Sequence, residues 1–159
     1  MKGKAVIIMG SERDLEFCRE IAKALKALTV NYEFRVASAH KTPQSVLDVL
    51  KEFEAQNIVY VTVAGRSNAL SAFVDANTSK PVIASPPYSE KYGSVDIFST
   101  LRVPSGIGIV TTIEPEGAAI ATAKIFALED PALEKRVKDY QAEKRKDIER
   151  ANETIKNMK

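Results

Sequence analysis

Over residues 1–131, short and nearly unbroken apolar runs alternate with stretches of helical periodicity, and that alternation leaves few folds open to the chain. Ala5-Val6-Ile7-Ile8-Met9 is apolar at every position, so neither face of that strand can meet water. The stretch from Asp14 to Leu28 then carries Leu15, Cys18, Ile21, Ala22, Leu25 and Leu28 on one helical stripe. The pattern repeats with a strand near Tyr32 to Ala37 and a helix from Pro43 to about Gln56, on which Val46, Leu47, Leu50 and Phe53 face inward. Ile58 to Ala64 reads as the third strand, with a short helix beginning near Ser67 or Asn68. Pro81 to Ala84 and Ile107 to Thr111 are the next strands, the last leading into a helix from about Pro115 to Leu128. Strands apolar on both faces and separated by amphipathic helices predict a parallel sheet covered on each side, an α/β protein built as a three-layer α/β/α sandwich. Pro86-Pro87, Gly93 and Pro104-Ser105-Gly106 make 85–106 mostly loop, with one short helix near Val95 to Leu101.

Residues 132–159 differ in character. They hold 9 basic and 6 acidic groups, leaving 14 and 15 for residues 1–131, so the net charge of +2 originates in the tail. Leu133, Val137, Tyr140, Ile148, Ala151, Ile155 and Met158 recur there at mostly three- and four-residue spacings, with Lys144 filling the gap and no Gly or Pro to stop a helix. The tail is expected to be one long C-terminal helix, an extension of the 1–131 α/β domain and not a domain in itself, packing over the domain edge or against another subunit. Its acidic residues interrupt the positive charge and no aromatic series accompanies it, which argues against a nucleic-acid partner. No apolar run approaches the ~20 residues that cross a bilayer, so no membrane partner is expected. One cysteine and an opening without the apolar stretch of a signal peptide fit a reducing, cytoplasmic location. One cysteine and one histidine exclude the usual zinc sets within one chain, and no metal is expected.

All strand-to-helix loops of a parallel sheet emerge at its carboxyl edge. Three of them read Gly10-Ser11-Glu12-Arg13-Asp14, Ser38-Ala39-His40-Lys41-Thr42-Pro43 and Gly65-Arg66-Ser67-Asn68. Ser11 suits either a turn or an anion contact at a helix N-terminus, and Asp14 either the helix dipole or two sugar hydroxyls. His40 is the sole imidazole and precedes Thr42-Pro43, an N-cap followed by proline at the first helical position. Its roles are general base or ordinary surface residue, and Lys41 beside it is a phosphate contact or a solvated charge. Arg66, Ser67 and Asn68 could orient a carboxylate, or Ser67 and Asn68 could simply cap the next helix. Ser105 suits a pocket wall or a turn. Cys18 belongs to the helix stripe and reads as core. The chain has neither a Gly-x-Gly-x-x-Gly nor a phosphate loop of the nucleoside-triphosphate type.

Together, Ile8-Met9-Gly10-Ser11-Glu12-Arg13-Asp14, Ser38-Ala39-His40-Lys41-Thr42, Ala64-Gly65-Arg66-Ser67-Asn68-Ala69-Leu70 and Leu101-Arg102-Val103-Pro104-Ser105-Gly106 resemble the PurE family of purine biosynthesis. They are most similar to its class II branch, the phosphoribosylaminoimidazole carboxylases. The resemblance implies a flavodoxin-like fold, an active site built across subunits, and a homo-octamer or homotetramer. It implies carboxylation of aminoimidazole ribonucleotide at C4 by carbon dioxide, with no cofactor: neither biotin, metal nor ATP. It places Ser11 and Lys41 on the 5'-phosphate, Asp14 on the ribose hydroxyls, Ser38 in support, His40 in proton transfer, and Arg66, Ser67 and Asn68 around carbon dioxide or the new carboxylate. The class I mutases, which move a carboxyl group from N5 to C4, carry Gly-Gly-Ala-Ala-His-Leu in the third loop, where this chain has Gly65-Arg66-Ser67-Asn68-Ala69-Leu70. A mutase is therefore the poorer match. A non-enzymatic nucleotide sensor is the alternative of a different class.

Overall fold

A computed structural model describes residues 3–158. Five parallel strands, β1 (Lys4–Met9), β2 (Asn31–Val36), β3 (Ile58–Val63), β4 (Val82–Ala84) and β5 (Val110–Thr111), form one sheet in the order β2-β1-β3-β4-β5. The helices are α1 (Leu15–Ala27), α2 (Pro43–Phe53), α3 (Ala69–Ala76), α4 (Phe98–Leu101), α5 (Pro115–Ala127) and α6 (Pro131–Lys156). Alternation along each strand divides the core in two. Ala5, Ile7, Met9, Val59, Val61 and Val63 pack under α1, α5 and the start of α6, whereas Val6, Ile8, Ile58 and Tyr60 pack under α2 and α3. Both faces are dry, which explains the unbroken apolar runs in sequence.

Several boundaries differ from the sequence reading. A 3-10 turn over Glu12–Asp14 precedes α1, which starts at Leu15 because Asp14 is occupied in closing the loop. On α2, Val49 is buried where Leu47 is only half-buried, a small rotation of the apolar stripe. The expected strand 107–111 pairs only over Val110–Thr111, and Val95–Leu101 is a 3-10 turn running into one turn of α4. In these short elements tertiary contacts, not local propensity, set the ends.

The tail is one helix of 26 residues, about 39 Å long. Asp130 caps it by accepting from the Leu133 amide at 2.9 Å. Its stripe divides: Leu133 and Val137 are buried in the α1/α5 core with Tyr140 packed against it, while Ile148, Ile155 and Met158 are exposed. Among the described residues, no helix is long and apolar enough to cross a membrane.

Candidate active site at the carboxyl edge of the sheet

Strand order reverses at β1, since the chain adds β2 on one side and returns to add β3 on the other. The loops after β1 and β3 therefore diverge at their helices but start side by side. The Gly10 amide donates to the Val63 carbonyl at 2.9 Å, and Ala64 lies against Gly10. A cleft of about 670 Å³ opens above this switch point. Ser11, Asp14, Ser38, His40, Lys41, Arg66 and Ser67 all line it. A smaller depression of about 290 Å³ lies at the opposite edge, by the amino ends of the strands, away from these loops.

Each loop is held by its own short-range bonds. Asp14 accepts from the Ser11 amide at 3.2 Å and from the Ser11 hydroxyl at 3.4 Å, folding the first loop over the start of α1. Burial pushes the Asp14 carboxyl above its ordinary range, against the Ser11 hydrogen bonds and the positive charge of Arg66, which pull it down. A half-buried carboxylate facing an arginine across a polar cleft is an acceptor for neutral donors such as hydroxyls.

In the second loop the expected Thr42 N-cap is in place with Pro43 at the first helical position. Its hydroxyl does not bond into α2, however. It accepts from the Ser38 amide at 3.0 Å, and the Ser38 hydroxyl in turn accepts from the Lys41 amide at 3.3 Å. Ser38 and Thr42 thus close a ring around Ala39, His40 and Lys41, leaving the imidazole and the ammonium exposed at the rim.

The third loop separates its residues. Arg66 and Ser67 are exposed on the cleft, but Asn68 is buried and does not line it. Asn68 Oδ1 accepts from the Ser71 amide at 3.2 Å and hydroxyl at 3.0 Å, and Asn68 Nδ2 donates to the Thr100 hydroxyl at 2.9 Å. Asn68 is the cap of α3, the plainer of its two sequence readings. Ser105 is exposed and lies outside the cleft of this chain. Cys18 is buried in the core and its thiol is pushed up to about 12, first by burial and then by Asp14, which leaves it unreactive.

Pro87, Tyr88 and Ser89, from the long connection between β4 and β5, form a wall that no local pattern announced, and Arg13 adds a cation to the lining. Arg13 stood inside a quoted loop motif. The position of Tyr88 depends on how the connection folds back, and only its Pro-rich punctuation marked it as loop. Among the described residues, no group of three or more His, Cys, Asp or Glu is gathered to hold a metal ion.

The chain is thus a doubly wound parallel α/β protein with a polar, arginine- and histidine-lined cleft at the switch point of its sheet. The model of the AIRC family, AIR carboxylase, matches residues 4–147. Over 153 residues the chain is 55% identical to phosphoribosylaminoimidazole carboxylase of Archaeoglobus fulgidus, covering 96% of this chain and 85% of that protein. It is 44% identical over 142 residues to phosphoribosylaminoimidazole carboxylase of Treponema denticola, covering 88% and 89%. The crystal structure of Treponema denticola PurE superposes with a TM-score of 0.94 at 40% identity, covering 98% of this chain and 99% of that one. The chain belongs to the AIR carboxylase family.

Proposed function

We propose that this protein carboxylates 5-aminoimidazole ribonucleotide at C4 with carbon dioxide, giving 4-carboxy-5-aminoimidazole ribonucleotide in purine biosynthesis. Family membership and two relatives named phosphoribosylaminoimidazole carboxylase support this reading. The observation that carries it is the convergence of Ser11, Asp14, Ser38, His40, Lys41, Arg66 and Ser67 on one cleft.

In this reading Lys41 and Ser11 hold the 5'-phosphate and Asp14 accepts from the ribose hydroxyls. The exocyclic amine makes C4 electron-rich, and holding carbon dioxide in line with it removes most of the entropic barrier. Attack forms a tetrahedral C4 bearing both hydrogen and carboxylate, with positive charge spread over the ring and amine. His40 takes the C4 proton and restores the aromatic ring. Arg66 and Ser67 stabilise carboxylate charge as it develops. Asn68 contributes by capping α3 beneath them, and Ser105 contributes only if another subunit brings it to the cleft. The open rim at His40 and Lys41 suits closure by a neighbouring copy in a homo-octamer or homotetramer, and a cytoplasmic location follows from the pathway.

Offering the two candidate substrates separately tests the assignment. Turnover of 5-aminoimidazole ribonucleotide with bicarbonate-derived carbon dioxide is the expected result. Productive use of the N5-carboxyamino nucleotide above its spontaneous decomposition would instead mark a mutase, and binding without turnover of either would mark a sensor.

A further inference from the structure

Arg66 holds a backbone conformation that its side chain disfavours, with φ at +61°. Crowding at Cβ makes this left-handed region costly for arginine, so the turn persists only where its surroundings impose it. The restraints come from one distant stretch of chain. Asp96 Oδ2 accepts from the Arg66 amide at 3.0 Å. The Ser99 hydroxyl accepts from the Asn68 amide at 2.9 Å, and its hydrogen is shared between the carbonyls of Arg66 at 2.8 Å and Asp96 at 2.7 Å. The same connection places the Tyr92 ring 5.8 Å from the Arg66 guanidinium. Asp96 is not part of the cleft lining, so it reaches the chemistry only through this backbone.

We propose that Asp96, assisted by Ser99, is a positioning residue for the reaction: it locks the Gly65-Arg66-Ser67 turn left-handed, so that Arg66 and Ser67 meet the carbon dioxide end of the substrate pair. The proposal rests on the carboxylase reading for its kinetic consequence but not for its geometry. Freed from Asp96, the Arg66 backbone relaxes toward right-handed φ values, and both side chains leave the geometry in which they face the cleft. The hydrogen bonds that shape the first two loops involve none of the clamp residues.

Kinetics and amide exchange on the full chain test it together. Asp96→Ala lowers kcat on the order of 10- to 100-fold, the scale of a ~1 Å misplacement, and leaves the nucleotide KM within about twofold. Asp96→Asn keeps an acceptor oxygen and restores most of the loss. In an Arg66→Ala background, Asp96→Ala lowers kcat by a clearly smaller factor than it does in the wild-type chain, because the clamp then has only Ser67 left to place. Exchange of the Arg66 amide, followed by NMR, is on the order of tenfold faster in Asp96→Ala than in wild type or Asp96→Asn. Losses that multiply in the double variant, a loss confined to nucleotide KM, or wild-type turnover in Asp96→Ala would overturn the proposal. If Asp96→Ala does not fold, Ser99→Ala carries the same kinetic expectation, with the faster exchange read at the Asn68 amide, whose acceptor is the Ser99 hydroxyl. Should the wild type not carboxylate, the functional reading fails by itself, while unchanged exchange of the Arg66 amide in Asp96→Ala, or of the Asn68 amide in Ser99→Ala, would sink the clamp whatever the activity.

Discussion

His40 and Asp14 face the same cleft with different exposure, and the difference sets what each can do. His40 stands exposed at the open rim. His40→Asn is expected to leave nucleotide binding intact and to slow turnover by about 100-fold or more, the scale of a positioned acid or base; parallel calorimetry and steady-state rates check it. Asp14 is half-buried, and burial raises its carboxyl above the ordinary value of 3.8. Ionisation is thus harder in the folded chain than in the unfolded one. Its contribution to stability is greatest below the unfolded pKa and is lost as pH rises through the raised folded value. Asp14→Asn should therefore raise the thermal midpoint at neutral pH, with the gain shrinking as pH falls through the raised folded value and largely gone below about pH 4. A midpoint lowered at neutral pH would mean that the Ser11 hydrogen bonds outweigh desolvation.

At the scale of elements, the two loop-to-helix junctions use similar residues for different ends. Thr42 directs its hydroxyl back to Ser38 and shapes the loop that carries His40, whereas Asn68 directs its amide forward into α3 and sideways to Thr100. Losing the buried Asn68 side chain leaves several groups unpaired. Asn68→Ala is expected to cost roughly 1–3 kcal/mol, or about 2–12 °C in thermal midpoint for a domain of this size. Ser67→Ala should stay within about 0.5 kcal/mol while lowering turnover, so melting and rate measurements on the two variants separate cap from ligand contact. Sequence alone could not make that separation for Arg66-Ser67-Asn68, because the partners that bury Asn68 and hold Arg66 are Ser99, Thr100 and Asp96, some thirty residues away.

In the whole molecule, α6 is anchored at one end and bare at the other. Leu133 and Val137 are core residues, and Lys144 meets Glu116 of α5 at 3.1 Å. Every described residue from 143 onward is exposed. A narrow stripe of Ile148, Ile155 and Met158 on a helix of charged residues suits contact with another copy. Removing residues 143–159 should leave a folded chain with fewer subunits per assembly, read as assembly mass over chain mass by light scattering. Cutting at Asp130 instead removes part of the core and should unfold the domain; an unchanged subunit count in the shorter truncation would place assembly elsewhere.

Sheet, layers and the identity of the loops followed from the sequence alone, because doubly buried strands and amphipathic helices write their surroundings into local periodicity. His40, Lys41, Ser11 and Asp14 were legible for the same reason: a parallel sheet sends each such loop to one edge. What the tertiary structure decided was which of those residues face the cleft and which serve the framework. Asn68 turned inward, Ser105 stayed outside, and Tyr88 and Asp96 arrived from a connection without periodicity. Those outcomes depend on contacts between segments distant along the chain, and local spacing carries no record of them.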